Sequence, residues 1–183
     1  MKRLDVLQLT GCNQKRFEGY HYRKQLPFYL STDDSRVKTR ATYSLEKVFA
    51  LGVMMESVDD AGLDLEAAKY VASNAVRKLR SASEKIDNDE DLWLILLQDR
   101  ENSLGFPART LVAGTLRMLP ELIQQNADEE SLRRIVMVNA SSVSRAIKAN
   151  AEEHDISEGK VDGPAWGAWV YADDDDLDPQ AEA

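Results

Sequence analysis

Apolar positions recur with a helical period through the first half of the chain and bunch into short runs in the second. Leu45, Val48, Phe49, Gly52 and Met55 share one face at the i, i+3, i+4 spacing, with Glu46, Lys47 and Glu56 elsewhere, so a helix is predicted from Tyr43-Ser44-Leu45 onward. Asp59-Asp60-Ala61-Gly62 stops it, Gly being the usual residue beyond a helix end. Asp64 then caps a second helix, striped by Leu65, Ala68, Ala72, Ala75, Val76 and Leu79. Ahead of both, a segment with Leu4 and Leu7 on its apolar side runs into the turn Thr10-Gly11-Cys12-Asn13. Asn13 is the expected N-cap of the next segment, which continues to Lys24 and buries Phe17 and Tyr20, three apart on one face. Pro27 ends that run.

The second half reads differently. Leu92 to Leu97 is a continuous apolar run too short for a confident helix and is predicted as a buried strand. Alternation of Val112, Gly114, Leu116 and Met118 predicts a second strand over 110–118, paired with the first as a hairpin. A short helix over 120–125, a buried strand over 135–138, and a helix capped by Ser141 or Ser142 with Val143, Ala146, Ile147 and Ala151 inward complete the pattern. Trp166, Trp169 and Tyr171 lie among Gly and Pro, and the two Trp, three apart, are expected to pin an irregular segment to the core rather than line a ligand pocket, with a dimer contact as the next alternative.

The expected fold class is therefore α+β. A mainly helical winged helix-turn-helix unit (1–80) is followed by a linker (81–91), a small α+β unit for dimerisation or sensing (92–171), and an acidic tail (172–183) whose composition is that of disorder. No apolar run approaches the ~20 residues needed to span a bilayer, and the N-terminus lacks a secretory apolar core, so no membrane and a cytoplasmic location are expected.

Charge sharpens the contrast between the two halves. The chain carries a net charge of −9, but residues 1–48 hold ten Lys/Arg against five Asp/Glu, a net +5, leaving −14 for the rest. Such asymmetry fits a nucleic-acid face joined to an acidic region.

Catalytic signals are sparse. The histidines are His21 and His154, no serine sits in a Gly-x-Ser-x-Gly turn, and no Gly-rich phosphate loop precedes a helix. Cys12, the single cysteine, can form neither an internal disulfide nor a thiolate cluster and reads as a small buried hydrophobe. His21, four after Phe17, is expected to be partly buried and hydrogen-bonded. No enzymatic activity, metal or cofactor is expected.

DNA binding needs cations for phosphates and donors for base edges. Lys15, Arg16, Arg23 and Lys24 suit the first task, and the amides of Asn13 and Gln14 suit either. Arg36, Lys38 and Arg40 alternate, so in a β-wing they would project from one side toward the backbone.

From Leu4 to about Val76 the residues resemble, in order, the MerR-type winged-helix family of transcriptional regulators. Thr10-Gly11-Cys12-Asn13 resembles the family's Thr-Gly-Val-Ser turn, with Phe17 and Tyr20 at its apolar and aromatic positions. Leu26-Pro27 is similar to the leucine-rich end of that element, and Tyr43-Ser44, Val48 and Leu51 to the passage from wing to third helix. Gly62-Leu63-Asp64-Leu65-Glu66-Ala67 resembles the Gly-Phe-Ser-Leu-x-x-Ile opening of the fourth. The chain differs where Glu18-Gly19 replaces the family's Arg-Tyr, where His21 replaces a glutamate, and where Ala41 replaces a wing arginine beside Arg40. The family's long coiled-coil helix is not evident beyond Leu79.

The resemblance implies a transcriptional regulator that binds double-stranded DNA as a homodimer, with an unknown effector. The helix opening at Asn13 would enter the major groove, and the wing around Lys38 and Arg40 would hold the adjacent backbone. Loss of Arg16 or Lys38 is expected to lower the salt slope of binding. The alternatives are an excisionase-like or architectural DNA-binding factor of a mobile element, and an interaction module that has lost DNA binding.

Overall fold

The run Leu92–Leu97 lies at the centre of the structure. A computed structural model describes residues 1–30, 43–83, 90–101, 107–128 and 130–156. In it β1 (Trp93–Glu101) is the middle strand of an antiparallel sheet of order β2-β1-β3, flanked by β2 (Pro107–Gly114) and β3 (Leu132–Asn139). A middle strand covered on both faces needs apolar residues at successive positions, and Leu94, Ile95, Leu96 and Leu97 are all buried. The described residues thus form a mixed α+β structure of six α-helices and a three-stranded sheet.

The helices are α1 (Arg3–Thr10), α2 (Gln14–Tyr22), α3 (Leu45–Asp59), α4 (Leu65–Ser83), α5 (Leu119–Asn126) and α6 (Ala140–Glu153). α4 lies on β2 and β1 and packs against α3, while α6 packs against α1 and α3. α3 is buried on most of its circumference, including Val48, Phe49, Leu51, Val53 and Met54, because neighbours surround it. At Gly52 an added Cβ would lie 2.9 Å from Val143 Cγ1, so the missing side chain is what lets α6 approach α3 this closely.

One cluster of buried side chains runs from Val6 through Leu79 to Leu92, Val138 and Ala151, taking in residues from both units expected from the sequence. Polar ties cross the same divide. Asn150 donates to the Leu9 carbonyl at 2.9 Å, and Arg134 donates to the carbonyls of Ala61 and Gly62 at 3.4 and 3.5 Å.

Several elements differ from their sequence expectations. On α1 the buried residues are Val6 and Leu9, while Leu4 is 63% exposed, because the core lies on the other side of this short helix. Helix α4 continues through Ser83, so the first three residues of the expected linker are helical. β2 spans 107–114 rather than 110–118, and Leu116–Met118 forms a 3-10 turn leading into α5. β3 is longer than expected, and its first half is largely exposed. Asn139 caps α6, its Oδ1 accepting from the Ser142 amide at 2.9 Å. Ser141 is instead buried and accepts the Leu92 amide, also at 2.9 Å, which fastens the helix to the start of β1. Ala146 is exposed, so the inward stripe of α6 is Val143, Ile147 and Ala151. Among the described residues no helix is long and apolar enough to cross a membrane.

Candidate nucleic-acid interface

Helix α2 is held by its two ends and by two aromatic residues. Asn13 caps it as expected, Oδ1 accepting the Arg16 amide at 2.9 Å. The preceding turn places Gly11 at φ +66°, a left-handed conformation that ends α1 and that a side chain would strain. Phe17 and Tyr20 are buried beneath α2, and Cys12 is buried beside it, its thiol pushed up chiefly by burial. Gln14, Lys15, Glu18 and Tyr22 are exposed, Tyr22 by 89%.

The end of α2 is unusual. Its helix stops at Tyr22, five residues before Pro27, through a reciprocal pair of backbone bonds: Gln25 to the Tyr20 carbonyl at 2.8 Å and Lys24 to that of His21 at 3.1 Å. This is the Schellman pattern, which puts its left-handed residue at the place Lys24 occupies, with φ +56°. Glycine would fit there without penalty. A lysine costs roughly 1–2 kcal/mol in that conformation.

The predicted contact residues separate into two groups. Lys15, Arg23 and Lys24 are exposed, with no side-chain hydrogen bond or ion pair among the described residues. Arg16 is engaged: Nη1 and Nη2 reach the two carboxylate oxygens of Asp59 at 2.6 and 2.8 Å, and Nε donates to the Tyr20 hydroxyl at 2.5 Å. The Asp59 bonds raise its already high affinity for the proton. Gln14 donates from Nε2 to Glu18 at 3.0 Å, and Arg3 donates to the same oxygen at 2.8 Å. These two donors, Gln14 first, hold the Glu18 carboxyl below its ordinary range. Arg3 also lies 5.1 Å from the centre of the Phe17 ring, so the charge of Glu18 on this face is matched locally by a cation.

Arg36, Lys38 and Arg40 lie outside the described residues, but both flanks of their segment are placed. Tyr43 stacks edge-on against Phe17 at 6.1 Å and Phe28 at 6.3 Å. Its backbone pairs with Met1, giving a carbonyl to the terminal amine at 2.9 Å and donating to the Met1 carbonyl at 3.1 Å. The described residues on both sides of 31–42 therefore lie at α2 and the N-terminus.

Two concavities of about 450 Å³ each open there. One is bordered by Lys2, Arg3, Phe17, His21 and Tyr43, the other by His21, Tyr22, Lys24, Tyr29 and Lys69. His21, expected to be partly buried, is exposed at the border of both, because the α2 face it occupies turns away from the core. Lys2, Arg3 and Lys69 were not singled out by sequence reasoning. Lys2 and Arg3 contributed only to the charge count, and Lys69 sits outside the apolar stripe of a helix distant in sequence, its Nζ 3.4 Å from the Lys24 carbonyl. Among the described residues no group of three or more His, Cys, Asp or Glu could hold a metal ion.

The chain matches no family model and no curated protein.

Proposed function

We propose that the protein is a sequence-specific DNA-binding transcriptional regulator that acts as a dimer, with α1 and α2 as the helix-turn-helix and residues 31–42 as the wing. The observation that carries this reading is that the two ends flanking the sequence with Arg36, Lys38 and Arg40 are anchored at α2, where Phe28 and Tyr43 pack in a buried ring cluster with Phe17. A helix entering the major groove needs a neighbouring cationic arm to fix its register on the phosphates. Lys15, Arg23, Lys24 and Lys69 supply further charge around the same helix. Gln14 and Asn13 have amide donors at its leading end for base edges.

The pairing with Asp59 gives Arg16 a bracing role in the free protein, tying α2 to the end of α3. Phosphate contact therefore falls first to Lys15 and Lys24, whose ammonium groups are open to solvent.

Selection of bound duplexes from a random-sequence pool tests the proposal. A dimeric regulator enriches a two-fold site whose half-sites lie about one helical turn, ~34 Å, or a multiple of it apart. A pool that stays unenriched while still binding would replace the regulator with a non-specific architectural factor.

One observation favours a second reading, an interaction module without DNA binding. Arg3 and Arg16, two of the cations nearest α2, are both neutralised by carboxylates of this chain. Absence of duplex binding at low salt decides for that reading.

A further inference from the structure

The sheet has two faces, and the helical layer covers one. Leu94 and Leu96 point into the helix-side core with Leu111, Val136 and Val138. Strand alternation therefore sends Trp93, Ile95 and Leu97 to the opposite face. Pairing sets Val112 and Met137 beside Ile95, and Thr110 and Ile135 beside Leu97. Ile95 and Leu97 are 0% and 1% exposed, yet neither belongs to the helix-side cluster.

The described elements placed on this second face are the 3-10 turn and α5. They lie over one end of the sheet, where a Cβ on Gly114 would be 2.7 Å from Leu122 Cδ1 and 3.6 Å from Met118 Sδ. α5 is too sparsely packed to be the whole cover. It buries none of its own residues, although Leu119, Leu122 and Ile123 form an apolar stripe along it. Leu116 is 49% exposed, and at the far side Ile135 is 38% exposed. Central residues fully shielded between two half-open flanks call for a further apolar layer.

We propose that residues 164–171, Pro-Ala-Trp-Gly-Ala-Trp-Val-Tyr, dock on this second face, with Trp166 and Trp169 against Ile95, Met137 and the α5 stripe. The segment has three aromatic residues and no charge, and each Trp can bury about 150–250 Å². The eight steps from Ile156, which packs on the helix side of the sheet, to Pro164 extend to ~26 Å, longer than the roughly 20 Å of two layer spacings between that side and the outside of the second face. Charge agrees as well: Asp173 to Asp176 follow the segment after Ala172, and Arg133, the extra residue where β3 bulges against Gln98 and Asp99, is exposed next to that face. Docking is independent of the DNA-binding proposal, since none of these residues belongs to the α2 surface.

Trp93 makes the test direct, because the chain has three Trp and Trp93 lies on the face in question. Full-length W166F/W169F and W166S/W169S each leave Trp93 as the sole tryptophan, excited selectively at the red edge of the protein absorption band. In the Phe variant Trp93 is expected to stay shielded from acrylamide. In the Ser variant its emission shifts to the red and its quenching rises several-fold, with far-UV circular dichroism retained. Identical Trp93 signals in the two variants overturn the proposal. Shielding in the Phe variant that disappears on dilution, in step with a fall in sedimenting mass, overturns it in favour of a second copy as the cover. Should the Ser variant not fold, hydrogen exchange of the wild-type chain decides: slowed amides in 164–171 support docking, and exchange at the free-peptide rate overturns it.

Discussion

Helices α2 and α4 are both opened by an Asn or Asp cap, yet the fold uses them in opposite ways. α4 buries ten of its nineteen residues, most of them Ala and Val, against α3 and the sheet. α2 buries two of nine. A helix of that length is not stable by itself in water and takes its order from packing and caps. α4 is fixed by area. α2 is fixed by Phe17, Tyr20, the Asn13 cap, the Arg16–Asp59 pair and the Schellman turn at Lys24. Under the DNA-binding proposal the outer surface of α2 stays open, and the helix is held by discrete devices, each of which one substitution can remove.

The strongest way to break the contrast is to remove an aromatic anchor. Phe17→Ala should cost about 3–5 kcal/mol, comparable to the 2–5 kcal/mol expected for Leu79→Ala in α4. Chemical denaturation measures both, and a loss under 1 kcal/mol at Phe17 would mean that α2 is not moored by its aromatics. Next come the caps. Asn13→Ala and Asp64→Ala should each lower stability by about 1 kcal/mol, but only the first should also weaken DNA binding. Equal binding losses in both would show that affinity merely follows global stability.

Lys24→Gly sharpens the comparison in the other direction. Relief of the left-handed backbone should stabilise the protein by about 1 kcal/mol, while loss of the ammonium group should lower affinity for duplex DNA. A variant both more stable and equally tight would remove Lys24 from the interface.

A smaller effect comes from the scaffold. Bonds from Arg145 and Asn139 hold the Asp91 carboxyl down to about 2, against an ordinary 3.8. A depressed acid contributes stability above its unfolded value and loses it as pH falls toward the folded one. The stability gap between wild type and Asp91→Asn should therefore be flat above about pH 5 and close between pH 4 and 2. A gap independent of pH would contradict that pairing.

Legibility in the sequence followed how local each signal was. The Asn13 and Asp64 caps, the buried Cys12, the hairpin of β1 with β2, helix α3 and the stripe of α4 all rest on short-range spacing, although burial on α3 extends beyond the expected stripe to Glu46, Leu51, Val53 and Met54. The cap of α6 was misplaced because Ser141 satisfies the buried amide of Leu92, just ahead of β1, a partner 49 residues away. The end of β2 was misplaced because Leu116 and Met118 continue the alternation that the backbone abandons at Gly114. For the candidate interface, residue types could suggest which cations lie near α2 but not which are occupied. Asp59 is 43 residues from Arg16, and nothing in the local pattern announces their meeting. Arg3, Lys2 and Lys69 reach the same surface only through the tertiary fold.

The central claim is that the exposed surface of α2 neutralises phosphates while its engaged arginine braces the helix. A salt titration of binding to random-sequence duplex DNA, run on wild type, Lys15→Ala and Arg16→Ala, tests it most directly. Wild-type affinity should fall steeply with salt, Lys15→Ala should reduce the slope by about one unit, and Arg16→Ala should leave the slope unchanged. Absence of binding even at ~50 mM salt, or an unchanged slope in Lys15→Ala, would contradict it.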